Sequence, residues 1–272
     1  MLTDTGTGAV IRTSLAQVTA VDGARVPLLV HRPAAPRGWL VWAHGGSWQH
    51  GSARAWAPIT AQLAAQSGWA VVSVDYRLAP AHRFPAAVLD MLAALDWTRQ
   101  QTTDLSAVVG GDSAGGTIAA LAALAYRDTG DPVPAQVLAY PPLDPDCTGP
   151  SYGADPGAFP PRADLRTAWR LWLGPDTPHH AVPATPLHAG NLAGLSPVAL
   201  IVGDEDPVRD DATAYADRLR ADGVPRSLRV LPGVGHADLL NPAGRVLPAV
   251  TAALSTLTTD SRTTPPTKRP VS

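Results

Sequence analysis

A serine flanked by glycines is the clearest chemical feature of this 272-residue chain. Gly111, Ser113 and Gly115 form a Gly-x-Ser-x-Gly pattern between an apolar run and an Ala-rich run. This spacing is typical of a sharp strand-to-helix turn, in which glycines let neighbouring backbone segments approach and the serine Oγ projects from the end of the strand. The pattern is common by chance, but here the strand and helix patterns surround it. We therefore predict that Ser113 is a nucleophile.

A serine hydroxyl needs a neighbouring base, and the base needs a carboxylate that orients it. His236 is the best candidate base, because it lies in a Gly-rich loop after a predicted strand and before the last predicted helix. For the acid, Asp204, Glu205 and Asp206 all follow the apolar run at 197–203. Their spacing does not choose among them, and an aspartate before a proline is also a normal helix N-cap.

Attack on a carbonyl also requires donors for the oxyanion that forms, usually backbone N–H groups in a site that excludes water. The strand predicted at 38–44 is followed by Gly45, Gly46 and Ser47. Consecutive glycines allow the backbone to approach a substrate closely, so this loop is the candidate source of donors. The N–H of Ala114, the residue after the nucleophile, would complete the oxyanion hole.

The surrounding pattern predicts an α/β fold with a mostly parallel central sheet flanked by helices. Apolar runs without alternation fit parallel strands that are covered on both faces. After short strands at 14–20 and 26–31, strands are predicted at 38–44, 69–74, 105–111, 135–140, 197–203 and 227–232. Helical periodicity occupies about 54–67, 85–100, 115–127, 209–222 and 244–257.

A long Pro-, Gly- and Asp-rich stretch interrupts the strand–helix alternation. It contains one amphipathic segment at 162–174 with two tryptophans, which favours an ordered cap over a disordered insertion, a partner-binding helix or a membrane-surface helix. We predict a core of residues 1–144 and 191–260, a cap or lid at 145–190 and a disordered tail at 261–272.

Composition narrows the possible partners. The chain has a formal net charge of −2 and 16% charged residues, which argues against nucleic acid as a partner. Neither a signal peptide nor a membrane span is recognisable, and the single Cys147 excludes an internal disulfide, so a cytoplasmic protein is expected. His179 and His180 with Asp176 lack the spacing of a metal site, and no metal or cofactor is expected. The sequence does not decide whether the protein is a monomer or a homodimer.

Five segments together resemble the hormone-sensitive-lipase-like family of microbial esterases, within the α/β-hydrolase superfamily. They are HGGS at 44–47, DYRLAPAHRFPAAVLD at 75–90, GDSAGG at 111–116, the stretch at 186–211 and GVGH at 233–236. The resemblance implies Ser113 as nucleophile, Asp206 as acid and His236 as base. It also implies oxyanion donors at Gly46, Ser47 and Ala114.

Three departures from the family pattern bear on specificity. Ser47 replaces the third glycine of the family motif, Ala237 and Asp238 stand where Gly-Phe is common, and the N-terminal region is too short for the helical half of a larger cap. We therefore expect an open acyl pocket and a preference for small, short-acyl esters, cleaved through an acyl-enzyme without a cofactor. Two alternatives are a kynurenine-formamidase-like amidase and a non-catalytic binding protein similar to the plant gibberellin receptors.

The tryptophans supply a hypothesis about substrate contact. The chain has eight Trp against two Phe. Those following the glycine loop or lying in the cap are predicted to line a substrate pocket: Trp48, Trp56, Trp169 and Trp172. The others are predicted to lie in the core: Trp39, Trp42, Trp69 and Trp97.

Overall fold

The structure is a computed structural model, and it describes residues 2–4, 10–101, 107–130, 134–175 and 183–260. The strands are Leu2–Asp4 (β1), Val10–Thr19 (β2), Arg25–Pro33 (β3), Trp39–Ala43 (β4), Ala70–Val74 (β5), Ala107–Asp112 (β6), Ala135–Ala139 (β7), Val198–Gly203 (β8) and Arg226–Leu231 (β9). The helices are Ala57–Ser67 (α1), Ala86–Gln100 (α2), Ala114–Asp128 (α3), Arg162–Leu173 (α4), Arg209–Ala221 (α5) and Val246–Asp260 (α6).

The strands of the described residues form one nine-stranded sheet in the order β1-β2-β3-β5-β4-β6-β7-β8-β9. Pairing is antiparallel from β1 to the β3–β5 contact and parallel from β5 through β9. Nearly every residue of β4 to β8 is buried, as expected for parallel strands covered on both faces. The predicted α/β fold class is confirmed.

Helices cover both faces of this sheet. Helix α1 packs against α6, and α2 packs against α3. Trp39, Trp42 and Trp69 are buried in the core, and Trp97 is half-buried with its ring edge-on to Trp39 at 6.4 Å between centroids. Packing of this kind holds the strand ends in fixed positions, which the site requires.

The register of the parallel strands brings three loops to one edge of the sheet. Ala43, the last residue of β4, pairs with Gly111 of β6. Asp112, the last residue of β6, pairs with Ala139 of β7, which in turn pairs with Ile201 of β8. The loops that follow β4, β6 and β8 therefore leave the sheet side by side at its carboxyl edge.

The chain between β7 and β8 contains α4 and short 3₁₀ turns at Pro150–Gly153 and Pro186–His188. A core of 1–144 and 191–260 with a cap at 145–190 stays a proposal. The predicted tail at 261–272 and the residues Asp176, His179 and His180 lie outside the described residues. Among the helices that the structure describes, none has the length and apolarity to cross a bilayer.

Candidate active site

Ser113 occupies a strained turn between β6 and α3. Its backbone has φ 51° and ψ −123°, a conformation that costs an L-residue free energy and persists only where the surroundings enforce it. The close approach of backbone segments explains the flanking glycines. A Cβ on Gly115 would lie 2.0 Å from the carbonyl oxygen of Ala43, and one on Gly111 would lie 2.3 Å from the carbonyl carbon of Gly115. The elbow geometry therefore follows from the glycine spacing.

Ser113, His236 and Asp206 form one hydrogen-bonded chain. The His236 Nε2 lies 2.8 Å from Ser113 Oγ, and His236 Nδ1 lies 2.9 Å from each carboxylate oxygen of Asp206. Because an ionised carboxylate only accepts hydrogen bonds, Nδ1 carries a proton and Nε2 accepts from the serine hydroxyl. The side chains of His236 and Asp206 are only 4% and 0% exposed, which keeps competing water away.

The structure separates the three acidic residues that follow β8. Asp204 accepts a hydrogen bond from the Gly233 N–H at 2.6 Å and so shapes the histidine loop, while Glu205 is exposed. Only Asp206 reaches His236. Its Oδ1 also accepts from the Val208 N–H at 3.0 Å. Helix α5 begins at Arg209 with Val208 as its N-cap residue and without a side-chain cap, so the N-cap interpretation of Asp206 is wrong.

Two aromatic rings flank His236. Tyr140, which is buried after β7, lies 4.7 Å from the imidazole between ring centroids. Phe159, which lies between β7 and α4 and is 64% exposed, has its ring centroid 6.2 Å from that of the imidazole. Neither residue belongs to a chemical motif, so sequence reasoning missed both.

The loop at 44–48 turns tightly beside the serine elbow. The carbonyl oxygen of Gly46 accepts from the N–H groups of Gln49 and His50, and a Cβ on Gly46, which has φ +115°, would lie 2.2 Å from the His50 oxygen. Ser47 and Trp48 follow with φ of 54° and 61°. Within the described residues, the N–H groups of Gly46 and Ser47 have no backbone acceptor.

Gly45, which is predicted to contribute to the oxyanion hole, lies against Asp112. A Cβ on Gly45 would lie 2.5 Å from Asp112 Oδ2, and the carbonyl oxygen of Gly45 lies 2.7 Å from His44 Nδ1. Gly46 and Ser47 follow in the same loop, and Ala114 lies at the start of α3, where helical N–H groups have no intrahelical acceptor. A role for these four residues as oxyanion donors stays a prediction.

Asp112 connects the elbow to the 44–48 loop, and sequence reasoning missed this role. Its carboxylate accepts from the indole N–H of Trp42 at 3.2 Å and of Trp56 at 3.1 Å, and it lies against Gly45 of the loop. Burial raises the pKa of Asp112 to about 6, and the two indole donors oppose that rise. An acidic residue directly after an entirely apolar strand is the signal that could have indicated a buried carboxylate with dedicated donors.

The four tryptophans predicted to line a pocket are placed differently from that expectation. Trp48, Trp169 and Trp172 pack on one another as a buried tryptophan cluster, 0%, 1% and 1% exposed, which leaves almost no indole surface for a substrate. Trp56 is half-buried and donates its N–H to Asp112. In this structure the indoles contact the loop and the elbow rather than an open cavity.

Two aspartates of α5, of which Asp211 is buried, attach the segment after β7 to the core. Asp211 accepts hydrogen bonds from the Leu143 N–H at 2.7 Å and the Tyr152 hydroxyl at 2.7 Å. Asp210 accepts from the Ser151 N–H at 2.7 Å. Burial raises the pKa of Asp211 to about 7. Among the described residues, no group of His, Cys, Asp and Glu is arranged to hold a metal ion.

Comparison with known proteins agrees with this geometry. Residues 40–240 match the family described as having the alpha/beta hydrolase fold. The chain is 36% identical over 251 residues to carboxylesterase NlhH of Mycobacterium tuberculosis, which covers 84% of this chain and 79% of that protein. The chain therefore belongs to the α/β-hydrolase family.

Solved structures refine this class. A bacterial heroin esterase superimposes with a TM-score of 0.82 at 31% identity, covering 91% of this chain and 84% of the other. An esterase of the bacterial hormone-sensitive lipase family superimposes with a TM-score of 0.78 at 32% identity, covering 90% of this chain and 84% of the other. These likenesses confirm the resemblance to hormone-sensitive-lipase-like esterases.

Proposed function

We propose that the protein is a serine hydrolase that cleaves carboxylic esters. The observation that carries this proposal is the unbroken chain of hydrogen bonds from Ser113 Oγ through His236 to Asp206. This arrangement activates a serine hydroxyl for attack on a carbonyl carbon. The names of the relatives, carboxylesterase and esterase, favour an ester as the substrate.

In the proposed mechanism, His236 Nε2 takes the proton of Ser113 while Oγ attacks the ester carbonyl. Asp206 stabilises the imidazolium that forms. His236 then returns the proton to the leaving alcohol as the tetrahedral intermediate collapses to an acyl-enzyme. Water repeats the sequence on the acyl-enzyme, which releases the acid and restores the serine.

The negative oxygen of each tetrahedral intermediate needs donors that are already in place. We propose the backbone N–H groups of Gly46, Ser47 and Ala114 for this role, since those of Gly46 and Ser47 have no backbone acceptor among the described residues and Ala114 begins α3. Removal of one such donor costs about 3–4 kcal/mol of transition-state stabilisation in other enzymes. The positions of these residues on two adjacent strand exits support the assignment.

We further propose that the substrates are small esters with short acyl chains. The tryptophan cluster fills the space beside the 44–48 loop, so this side of the site offers no channel for a long chain. A series of p-nitrophenyl esters of increasing acyl length tests the proposal. Highest kcat/KM at acetate to butyrate is expected, and a maximum at long, emulsified chains would contradict it.

An amidase of the same triad is the second candidate. Amide cleavage requires firm protonation of a poor leaving group. No acid other than His236 contacts Ser113 among the described residues. Comparison of p-nitrophenyl butyrate with an anilide or formanilide separates the two activities. The third reading, a non-catalytic binding protein, is disfavoured because the serine–histidine contact is complete.

The proposal is tested by replacing the nucleophile. Ser113→Ala removes the attacking oxygen, and we expect kcat for p-nitrophenyl butyrate to fall by about 10⁵–10⁶-fold while the fold is retained. Steady-state kinetics of both proteins measures kcat, and circular dichroism checks that the variant is folded. Retention of most of the turnover by the variant would exclude Ser113 as the nucleophile.

A further inference from the structure

We propose that helix α4 of the cap positions the oxyanion donors, and that Trp172 and Trp169 are positioning residues for catalysis rather than walls of a substrate pocket. This inference rests on the proposed esterase function. It is carried by the packing of the two indoles on Trp48, which directly follows the proposed donors Gly46 and Ser47.

The 44–48 loop needs external support because two consecutive non-glycine residues are left-handed. Ser47 has φ 54° and Trp48 has φ 61°. For an L-residue with a Cβ, this conformation is energetically unfavourable. A short exposed loop would relax from it, and the N–H groups of Gly46 and Ser47 would then change direction. Something outside the loop must therefore stabilise the turn.

The indole of Trp48 supplies the point of support. It stacks on Trp172, with the ring centroids 4.6 Å apart and the ring planes 4° from parallel. Its centroid lies 4.4 Å from that of the Trp169 ring. The carbonyl oxygen of Trp48 also accepts from the Ala79 N–H at 2.9 Å. Both the side chain and the backbone of this strained residue are thus fixed by other segments.

Helix α4 is in turn fixed to the core. Its buried residues, Leu165, Ala168, Trp169 and Trp172, have the spacing of one helical face. The Trp172 carbonyl oxygen accepts from the Phe84 N–H at 2.9 Å, and the Phe84 ring meets the Trp172 indole edge-on at 5.4 Å. Residues 79–84 therefore contact both Trp48 and α4, and they close a rigid connection from cap to loop.

A pocket wall does not explain this cluster, since the three indoles are at most 1% exposed. Their N–H groups are also buried without an acceptor among the described residues, which opposes burial of the rings. Positioning of the adjacent donors accounts for a tryptophan cluster at this place.

The test removes the stacking partner and compares kcat with KM. For Trp172→Ala, loosening of the donors should lower kcat for p-nitrophenyl butyrate by about 10²-fold, with KM within about threefold and the preferred acyl length unchanged. Affinity for a trifluoromethyl ketone, whose tetrahedral adduct uses the oxyanion donors, should fall with kcat/KM.

Two further variants keep the test decisive. Trp172→Leu fills most of the space without stacking and should lower kcat by about tenfold at unchanged KM. This variant replaces the alanine variant in the test if the latter does not fold. Trp97→Ala is the matched control, because Trp97 packs edge-on against Trp39 of the core and contacts neither Ser113 nor the 44–48 loop. Its kcat should equal that of the wild type.

Three outcomes would overturn the inference. A wild-type kcat in Trp172→Leu would show that the cluster does not position the donors. A raised KM with a shifted acyl-length preference at unchanged kcat would make Trp172 a pocket wall instead. If the wild-type chain shows no Ser113-dependent turnover, the proposed function fails and this inference fails with it, which the Ser113→Ala measurement reports separately.

Discussion

The serine elbow and the 44–48 loop each hold a serine in a strained backbone conformation, but different contacts stabilise the two turns. Both leave parallel strands at the carboxyl edge, and both hold a serine at positive φ, 51° at Ser113 and 54° at Ser47. At the elbow, glycines allow the backbone of α3 to lie directly on that of β4. At the loop, the strained pair ends in Trp48, whose indole stacks on Trp172 of α4.

The difference concerns where the supporting contacts come from. The elbow is stabilised by main-chain packing of α3 on β4, which depends on glycine at 111 and 115. The loop is stabilised by side chains more than 100 positions away in the sequence. Substitution of a distant side chain should therefore disturb the loop, whereas the elbow should respond to substitution of its glycines.

The largest effect is expected from closing the space at the elbow. In Gly115→Ala, the added Cβ would lie 2.0 Å from the Ala43 oxygen and 2.6 Å from the His44 oxygen, so α3 must move away from β4. We expect a loss of roughly 3 kcal/mol in the free energy of unfolding, with turnover at least about 10²-fold lower. Urea unfolding and steady-state kinetics measure both.

Gly153→Ala is the matched control for this substitution. No atom lies within 4 Å of a Cβ built on Gly153. The free energy of unfolding should stay within about 0.5 kcal/mol of the wild type. Equal behaviour of the two variants would show that the elbow does not depend on the close backbone contact.

A pH-dependent effect is expected at Asp112, the residue that joins the two turns. Burial raises its pKa to about 6, compared with 3.8 for a free carboxyl. Well below pH 3.8 the carboxyl is protonated in both folded and unfolded chains. As the pH rises from 3.8 to 6, the unfolded chain ionises this group while the folded chain keeps its proton, so this residue lowers the free energy of unfolding by up to about 3 kcal/mol.

Asp112→Asn removes this titration. The difference in unfolding free energy, wild type minus variant, should therefore fall between pH 4 and pH 6 and level off above about pH 7. Urea unfolding of both proteins at intervals across this range measures the difference. A difference that is independent of pH would contradict the described environment of the carboxylate.

Much of the fold could be predicted because its strands are short apolar runs between clear turn residues. The strands predicted at 69–74 and 197–203 are observed at Ala70–Val74 and Val198–Gly203. The sharp turn at Ser113 could be predicted because it depends on Gly111 and Gly115, two positions to either side. His236 was identifiable because of its glycine-rich loop after β9. In these cases the physical cause lies within a short segment of sequence.

The rest depends on contacts between distant segments. Spacing could not select Asp206 from its two acidic neighbours, because the choice depends on which one the His236 loop reaches. Nor could it show that Asp112 accepts from the indoles of Trp42 and Trp56. The period of α4 predicted one apolar face at Trp169 and Trp172, but not that this face would pack on Trp48.

The central claim is that Ser113 is the activated nucleophile, and covalent trapping tests it most directly. After incubation with a p-nitrophenyl phosphonate ester, intact-mass spectrometry of the wild-type chain should show a single adduct, and peptide mapping should locate it on Ser113. Ser113→Ala should gain no mass. An adduct of equal yield in the variant, or none in the wild-type chain, would contradict the account.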